Sequence, residues 1–165
     1  MNCTEDIPMH LKILDPCSGS RMMWFDRQNP HALFGDIRSE THRLKDRKYQ
    51  RSLEIHPYIR MDFRNLPFQD GQFKLVAFDP PHLVHAGAKS WLALKYGKLG
   101  QTWQEDLRQG FAECFRVLEA DGVLVFKWNE DQIRAEQVLE LTPYKPLFGH
   151  TTGKRGKTLW FTFMK

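Results

Sequence analysis

The apolar residues of this chain are concentrated in short runs, some of them interrupted by one charged residue, and several runs are followed closely by an acidic residue. Four such runs lie in the first half of the chain, at residues 11–14, 32–34, 57–61 and 75–78. Short apolar runs are typical of strands that are buried on both faces of a sheet. We therefore predict four strands, and the acids at or just beyond their carboxyl ends are Asp15, Asp36, Asp62 and Asp79.

The second half of the chain contains the clearest helical pattern. Large apolar residues recur at spacings of three and four and share one helix face: Trp103, Leu107, Phe111, Cys114, Phe115 and Leu118. Asp121 and Gly122 are predicted to end this helix. Residues 123–128 and 158–163 are predicted strands, and residues 131–141 a further helix, while residues 143–148 with their two prolines are doubtful.

Two segments favour helix less clearly. Residues 22–25 are apolar enough to begin a packed helix, and residues 39–52, which are polar and strongly basic, are predicted to be a helix or a mobile surface segment. Strands separated by helical stretches require crossover connections, so we expect an α/β fold with a mostly parallel central sheet, flanked by helices and closed by an antiparallel C-terminal strand.

Ligands of open parallel sheets bind outside the carboxyl ends of the strands, near the point where the strand order reverses. The four acidic residues should therefore line one crevice. Acidic residues also follow strands as ordinary turn or cap residues, and for any one of the four that interpretation is favoured. Four in succession reverse the preference.

Composition limits the class of protein. The length of 165 residues suits a single domain, 1–165, and no apolar run approaches transmembrane length. Residues 1–10 lack a secretory pattern, and Cys3, Cys17 and Cys114 are an odd, widely spaced set, which favours reduced thiols in a cytoplasm. A net charge of +4 permits a polyanionic partner without requiring one.

The most specific motif is Asp79-Pro80-Pro81-His82. Proline fixes φ and has no amide hydrogen, so the two prolines end the strand in a stiff, extended exit. That exit presents a carboxylate and a proline carbonyl, which together can hold a hydrogen-bond donor in one orientation. An amine that reacts as a nucleophile needs such a holder.

Three motifs resemble those of the Rossmann-like S-adenosylmethionine-dependent methyltransferases. They are the loop Asp-Pro-Cys-Ser-Gly-Ser at residues 15–20, the segment beginning Asp62-Phe63, and the Asp-Pro-Pro-His motif at residues 79–82. Within this group the chain is similar to amino-methyltransferases with an Asp-Pro-Pro-aromatic motif, best known for methylating adenine in nucleic acids. It departs from their pattern at Arg21, where the loop usually has its last glycine, and at His82, where the motif usually has Tyr, Phe or Trp.

The resemblance implies S-adenosyl-L-methionine as cofactor and a role for each matching residue. Asp15 would bind the methionine ammonium and Asp36 the ribose, while Asp62 would bind the adenine amine and Phe63 would cover the ring. The remaining cofactor residues belong to the loop, namely Pro16, Cys17, Gly19 and Ser20. Asp62 as a turn cap and Phe63 as a core residue remain alternatives.

In the catalytic motif, Asp79 and the carbonyl of Pro80 would accept the two hydrogens of the target amine. Pro81 stiffens the motif. His82 would stack on an extruded base, or it is a loop histidine without a special role. His82 and His85 have metal-ligand spacing, but no further ligand lies near them in sequence, so we predict no metal site.

Basic residues with interleaved aromatics favour a nucleic-acid partner, DNA or RNA. They comprise the basic run with Arg43, Arg47 and Lys48, and the loop after the motif with Lys89, Trp91, Lys95 and Tyr96. A charge run is more often a solvated face. Residues 83–100 would form a substrate lid. No membrane partner is indicated. No separate target-recognition domain fits in this length, so we expect an enzyme that is weakly selective, assisted by a protein partner or a homo-oligomer, or directed at RNA or single-stranded sites.

Three functional hypotheses follow from the sequence. The leading one is an adenine amino-methyltransferase acting on DNA or RNA. The second is methylation of a protein side-chain amide or a small amine, because the Asp-Pro-Pro grip suits any planar amine. The third is a non-catalytic binding module with a decayed methyltransferase fold.

Charge reversal of the basic run tests the nucleic-acid partner. The Arg47→Glu, Lys48→Glu double variant should bind nucleic acid more weakly and with a flatter salt dependence, because fewer counterions are released on binding. Affinity measured across a salt series checks this prediction. If the dependence of affinity on salt concentration were unchanged, the basic run would be an ordinary solvated surface.

Overall fold

The computed structural model of the protein describes residues 8, 10–46, 49–87, 90–150 and 156–165. The strands are β1 Ile13–Asp15, β2 Ala32–Asp36, β3 Glu40–Asp46, β4 Tyr49–Ile55, β5 Ile59–Arg60, β6 Phe73–Phe78, β7 Leu118–Asn129, β8 Phe148–His150 and β9 Thr158–Met164. The helices are α1 Trp91–Tyr96 and α2 Trp103–Val117, which precede β7, and α3 Ala135–Leu139, which follows it.

Seven strands form the central sheet, in the order β5-β2-β1-β6-β7-β9-β8. Pairing is parallel from β5 to β7, whereas β9 runs antiparallel to both β7 and β8. The prediction of a mixed α/β fold with a mostly parallel sheet and an antiparallel C-terminal strand is confirmed, and the arrangement is consistent with a Rossmann-like fold. The strand order reverses between β1 and β6, which places the switch point at their carboxyl ends.

Helix α2 covers one face of the sheet. Alternate residues of β7 are fully buried beneath it, and Phe111 of α2 packs edge-on against Phe78 of β6 and Phe126 of β7. Residues of β7 with the opposite parity, including Lys127, are only partly buried and face the other side of the sheet. Since the side chains of a strand alternate between its faces, the α2 contact fixes which side chains face away from the helix.

The prediction for residues 39–52 is wrong. This segment contributes to an antiparallel hairpin of β3 and β4, which lies between β2 and β5 in the chain. Leu53 and Ile55 of β4 are buried while Ser52 and Glu54 are exposed, which is the two-residue period of a half-buried strand. The many charged residues in the sequence of this segment concealed that period.

The predicted helix at residues 22–25 is also wrong. The described segment 16–31 forms turns rather than a helix. Phe25 is fully exposed and Met22 is 44% exposed, so these apolar side chains do not form the buried stripe that a packed helix requires.

Other boundaries differ from the prediction. Helix α2 ends at Val117, and Asp121, with a φ of 63°, lies with Gly122 inside the long strand β7 rather than at the end of a helix. Helix α3 is only five residues long, and the doubtful segment 143–148 ends in the first residue of β8. Among the described residues, no helix has the length and apolar composition needed to cross a bilayer.

Gly110 of α2 provides a test of the helix–sheet packing. A Cβ atom at this position would lie 2.7 Å from Phe63 Cδ2 and 2.9 Å from Phe78 Cζ. Gly110→Ala should therefore lower the free energy of unfolding by about 1–2 kcal/mol, because overpacking outweighs the gain in helix propensity. Urea unfolding measures the change, and Gln109→Ala on the exposed face is the matched control. A more stable Gly110→Ala protein would contradict this packing.

Candidate functional site

Three carboxylates meet at the carboxyl edge of the sheet. Asp15 is the last residue of β1, Asp36 is the last residue of β2, and Asp79 directly follows β6. Because β1 pairs in parallel with both β2 and β6, the three strands deliver their acids to the same edge. Two of the three, Asp15 and Asp79, flank the switch point itself.

Asp15 is fully buried. Its Oδ2 accepts a hydrogen bond of 2.7 Å from Trp24 Nε1, and its Oδ1 accepts one of 3.2 Å from the Cys17 amide. Burial raises the pKa of Asp15 to about 7, although the Trp24 bond opposes the shift and the nearby Asp79 carboxylate adds to it. The carboxylate is thus costly to ionise in the free protein, and a bound cation would favour its ionised form.

The loop after β1 has a backbone suited to glycine at two positions. Gly19 has a φ of 49° and donates its amide to Asp36 Oδ2 at 2.9 Å. Arg21 has a φ of 56°, which is the left-handed conformation that favours glycine. For a residue other than glycine this conformation costs about 1–2 kcal/mol.

The Arg21 side chain has contacts that offset this cost. Its guanidinium lies 4.2 Å from the ring centroid of Phe34 and 4.4 Å from that of Tyr58. It also donates hydrogen bonds to the carbonyls of Arg27 and His56. Arg21 therefore joins the loop to β2 and to the end of the hairpin, which is a structural role.

Arg38 links Asp36 to α1. Asp36 is 5% exposed, and its Oδ1 accepts hydrogen bonds from the amide and the Nε of Arg38 at 2.9 and 3.3 Å. Arg38 Nη1 donates to the carbonyl of Leu94, in α1, at 2.8 Å. One guanidinium thus connects the end of β2 with the segment that follows the Asp-Pro-Pro motif.

Asp79 is paired with Lys127 of β7. Lys127 Nζ lies 2.5 Å from Asp79 Oδ2, and the two side chains are 22% and 24% exposed, respectively. The β6–β7 register pairs Phe78 with Phe126, so the next step along both strands brings these two residues side by side. Burial raises the pKa of Asp79, and the positive charge of Lys127 opposes that shift.

His82 presents an uncharged ring beside this ion pair. Its ring centroid lies 5.3 Å from that of Tyr96 and 6.3 Å from that of Trp128. Burial, together with the nearby Lys127 charge, lowers the pKa of His82 to about 4. The imidazole is therefore neutral at pH 7 and offers a flat face at the mouth of the site.

Three cavities meet at Asp79 and Tyr96. The loop cavity, of about 40 Å³, is lined by Asp15, Cys17, Ser18, Gly19, Ser20, Met22, Met23, Arg38, Asp79, Pro80, His82, Lys95, Tyr96 and Lys127. The rear cavity, also of about 40 Å³, is lined by Pro16, Cys17, Asp36, Ile37, Arg38, Phe63, Asp79, Pro81 and Tyr96. The outer cleft, of about 670 Å³, is lined by Asp79, His82, Leu83, Leu92, Tyr96, Lys127, Asn129, Asp131, Gly156, Lys157 and Thr158.

All the predicted catalytic residues, and every predicted cofactor residue except Asp62, line one or more of these cavities. Asp62 lines none of the three. Its carboxylate binds Arg64, with Oδ2 2.6 Å from Nη2, and Arg64 lowers its pKa. Arg64 in turn binds Asp106 of α2 at 2.9 Å, so Asp62 belongs to a charged cluster beside the site.

The predicted substrate residues are divided between several places. Arg43 is exposed on β3, and Arg47, Lys48 and Lys89 lie outside the described residues. Trp91 and Lys95 line a further cleft of about 610 Å³ between α1, the loop after β1 and the hairpin. We call this the hairpin cleft. Tyr96 faces the three cavities described above.

Three contacts in the site were not foreseen from the sequence, namely those of Lys127, Arg38 and Trp24. Lys127 had a detectable signal, because it is a single charge within the apolar strand 123–128, near its carboxyl end. Arg38 follows a predicted strand end by two residues, which is a weaker signal. Trp24 had none, since its apolar neighbours favoured a helix.

Comparison with known proteins supports the fold and nothing narrower. No protein-family profile matches the chain, and no curated protein sequence matches it. The crystal structure of the PH0226 protein from Pyrococcus horikoshii OT3 is similar with a TM-score of 0.57 and 16% sequence identity, over 92% of this chain and 80% of that chain. Within the described part of this chain, no three metal-ligating side chains are grouped closely enough to share an ion.

The buried Asp15 should make stability depend on pH. Its pKa is raised from 3.8 to about 7 on folding, so the folded state binds the proton more tightly than the unfolded state. Ionisation therefore destabilises the fold by up to about 4 kcal/mol, with the loss developing as pH rises from about 4 to about 7.

Asp15→Asn removes this titration. The unfolding free energy of the variant, relative to wild type, should increase between pH 4 and pH 7 in urea titrations. Asp26→Asn, on an exposed turn, is the matched control. A difference between Asp15→Asn and wild type that does not change with pH would show that Asp15 is not the buried titrating group.

Proposed function

We propose that this chain is an S-adenosylmethionine-dependent methyltransferase that methylates a planar exocyclic amine, with adenine in DNA or RNA as the acceptor. One observation carries the proposal: Asp79 lines both inner cavities and also the open outer cleft. Groups bound on the two sides would meet at this carboxylate. The Asp-Pro-Pro motif and the loop at residues 15–20, which carry the family resemblance, supply its surroundings.

The lining of the inner cavities includes side chains that would suit this cofactor. Ser18 Oγ is buried and has no hydrogen-bond partner among the described residues, so it is available to a polar ligand. Asp15 suits the ammonium of the amino-acid part, and Asp36 suits the ribose hydroxyls. Gly19 leaves the loop backbone open, and Phe63 offers an aromatic surface in the rear cavity. When bound, S-adenosylmethionine supplies a methyl group that its sulfonium has already activated.

Binding requires the site to open. The two inner cavities have about 40 Å³ each, whereas sites for ligands of this size usually have about 300 Å³ or more. Tyr96 of α1 lines both cavities. Arg38 donates one hydrogen bond to the Asp36 carboxylate and another to the carbonyl of Leu94 in α1. Release of Arg38 from Asp36 would free the carboxylate and α1 together, which fits the lid expected for residues 83–100.

The acceptor would be held by the Asp-Pro-Pro motif. Asp79 accepts one hydrogen of the amine and the Pro80 carbonyl accepts the other. Hydrogen bonds from both hydrogens would make the nitrogen pyramidal. Its lone pair would then no longer be delocalised into the ring and could accept the methyl group. His82, neutral at pH 7, can stack on the ring of an extruded base.

Nucleic acid fits the surroundings of the outer cleft. Lys157 lines the outer cleft, Lys95 and Arg27 line the hairpin cleft, and Arg43 is exposed on β3. These positive charges would contact phosphates, while Trp91 in the hairpin cleft could stack on a base. A nucleic-acid substrate and the free thiols of Cys17 and Cys114 both fit a cytoplasmic protein.

A non-catalytic binding module is the second candidate function. The small inner volume and the occupation of Asp36 by Arg38 favour it. Titration with S-adenosylmethionine separates the two candidates: heat or a fluorescence change on addition supports the methyltransferase, and a silent titration supports the module. Labelled-methyl transfer to separate DNA, RNA and protein pools then identifies the acceptor.

Asp79→Ala tests the catalytic role. This substitution should abolish methyl transfer while cofactor affinity stays within about tenfold, or 1.4 kcal/mol, because Asp79 holds the acceptor rather than the cofactor. Transfer assays and calorimetric titration measure the two effects, with Asp26→Ala as the control. Equal loss of transfer and of cofactor affinity would instead make Asp79 a cofactor or folding residue.

A further inference from the structure

Lys127 brings a fixed positive charge to the place where the acceptor would bind. Its ammonium lies 2.5 Å from Asp79 Oδ2 and 5.7 Å from the ring centroid of Trp160. Trp160 is the residue of β9 that is paired with Lys127 of β7. Its side chain lines both the loop cavity and the outer cleft. Two neighbouring strands position this charge, so it belongs to the framework of the site rather than to a flexible loop.

We propose that Lys127 restricts the acceptor to a neutral, planar nitrogen, such as the exocyclic amine of a nucleobase, and excludes a protonated alkyl amine. The inference rests on the proposed function, and it names the residue that would restrict the acceptor to the class proposed there. It assigns to Lys127 the role of a specificity-determining residue at the acceptor side of Asp79.

The first reason is electrostatic. An unpaired, partly buried carboxylate would attract an alkylammonium group strongly. Lys127 already neutralises Asp79, so a second cation entering the site would lose its hydration without gaining an unpaired partner, and would face the Lys127 charge. A neutral aromatic amine has no charge to desolvate, and it can still donate a hydrogen bond to the free oxygen of Asp79.

The second reason concerns the proton. An alkylammonium must lose a proton before its nitrogen has a lone pair, whereas an aromatic amine already has one. Burial raises the pKa of Asp79 and Lys127 opposes that shift, so the ammonium makes Asp79 a weaker base than the same carboxylate would be without a partner. For an aromatic amine, the N–C bond would form as the S–C bond of the methyl donor breaks and leaves a neutral thioether. The nitrogen is then positively charged and strongly acidic, so it would lose its proton to solvent at the outer cleft.

The surrounding side chains act in the same direction. The ring of His82 beside Lys127 is uncharged, because burial and the Lys127 charge lower its pKa to about 4. Asp131, which also lines the outer cleft, is already paired with Lys157. Near Asp79, therefore, no carboxylate of the described cleft remains unpaired to receive a cationic acceptor.

The test uses two oligonucleotides that differ at one nucleotide. The first carries adenine, and the second carries a primary aminoalkyl group in place of that base. Wild type, Lys127→Gln, Lys127→Met and Lys127→Arg are compared for labelled-methyl transfer, and for equilibrium binding of both oligonucleotides without cofactor. Circular dichroism confirms that each variant is folded.

Wild type should prefer the adenine oligonucleotide by about 100-fold, since an uncompensated charge is costly at a partly buried site. Lys127→Gln and Lys127→Met should reduce this preference at least tenfold in transfer, and should reduce it in cofactor-free binding as well, whereas Lys127→Arg should keep it. An unchanged preference in both charge-free variants would overturn the inference alone. Absence of transfer to either oligonucleotide by wild type would overturn the proposed function and the inference with it.

Discussion

The ion pair between Asp79 and Lys127 is the interaction on which the rest of the site depends. Parallel pairing of β6 and β7 brings a carboxylate that follows β6 beside an ammonium near the carboxyl end of β7. Without the ammonium, burial would drive Asp79 toward its neutral form, which would weaken it as a hydrogen-bond acceptor. Lys127 opposes this shift and so favours the charged form of the carboxylate at the boundary between the inner cavities and the outer cleft. The packing of α2 on the other face of the sheet supports this arrangement, because it determines which face of β7 Lys127 occupies.

The same principle extends to the other carboxylates. Asp15 receives a hydrogen bond from Trp24, Asp36 from Arg38 and Asp79 from Lys127, so each acid at this edge has a donor from a different part of the chain. Three carboxylates gathered at one edge would otherwise repel one another in surroundings that hydrate them poorly. A ligand with ammonium and hydroxyl groups would add to or replace these donors. The free protein is thus stabilised by contacts that resemble those of its proposed ligand.

The sequence was sufficient to predict the main features of the fold because strand ends and helix α2 have strong local patterns. Apolar runs ending in acids placed β1, β2 and β6, and through them Asp15, Asp36 and Asp79, at one edge. The β3–β4 hairpin was missed because the sequence of this segment is dense in charged residues. The turns at residues 22–25 were missed because the exposed Met22 and Phe25 imitated a buried stripe. The Asp79–Lys127 pair depends on strand order and register, which no single segment encodes. Asp62 was expected to face the cofactor, but its position depends on Arg64 and on Asp106, which is 42 residues further along the chain than Arg64.

A crystal structure with bound S-adenosylhomocysteine, the product form of the proposed cofactor, tests the central claim most directly. We expect electron density for the ligand along the loop after β1. Its ribose should bind Asp36 in place of Arg38, and its thioether sulfur should face Asp79. A ligand bound elsewhere, or crystals soaked to saturation in which Arg38 still holds Asp36 and the edge is empty, would contradict it.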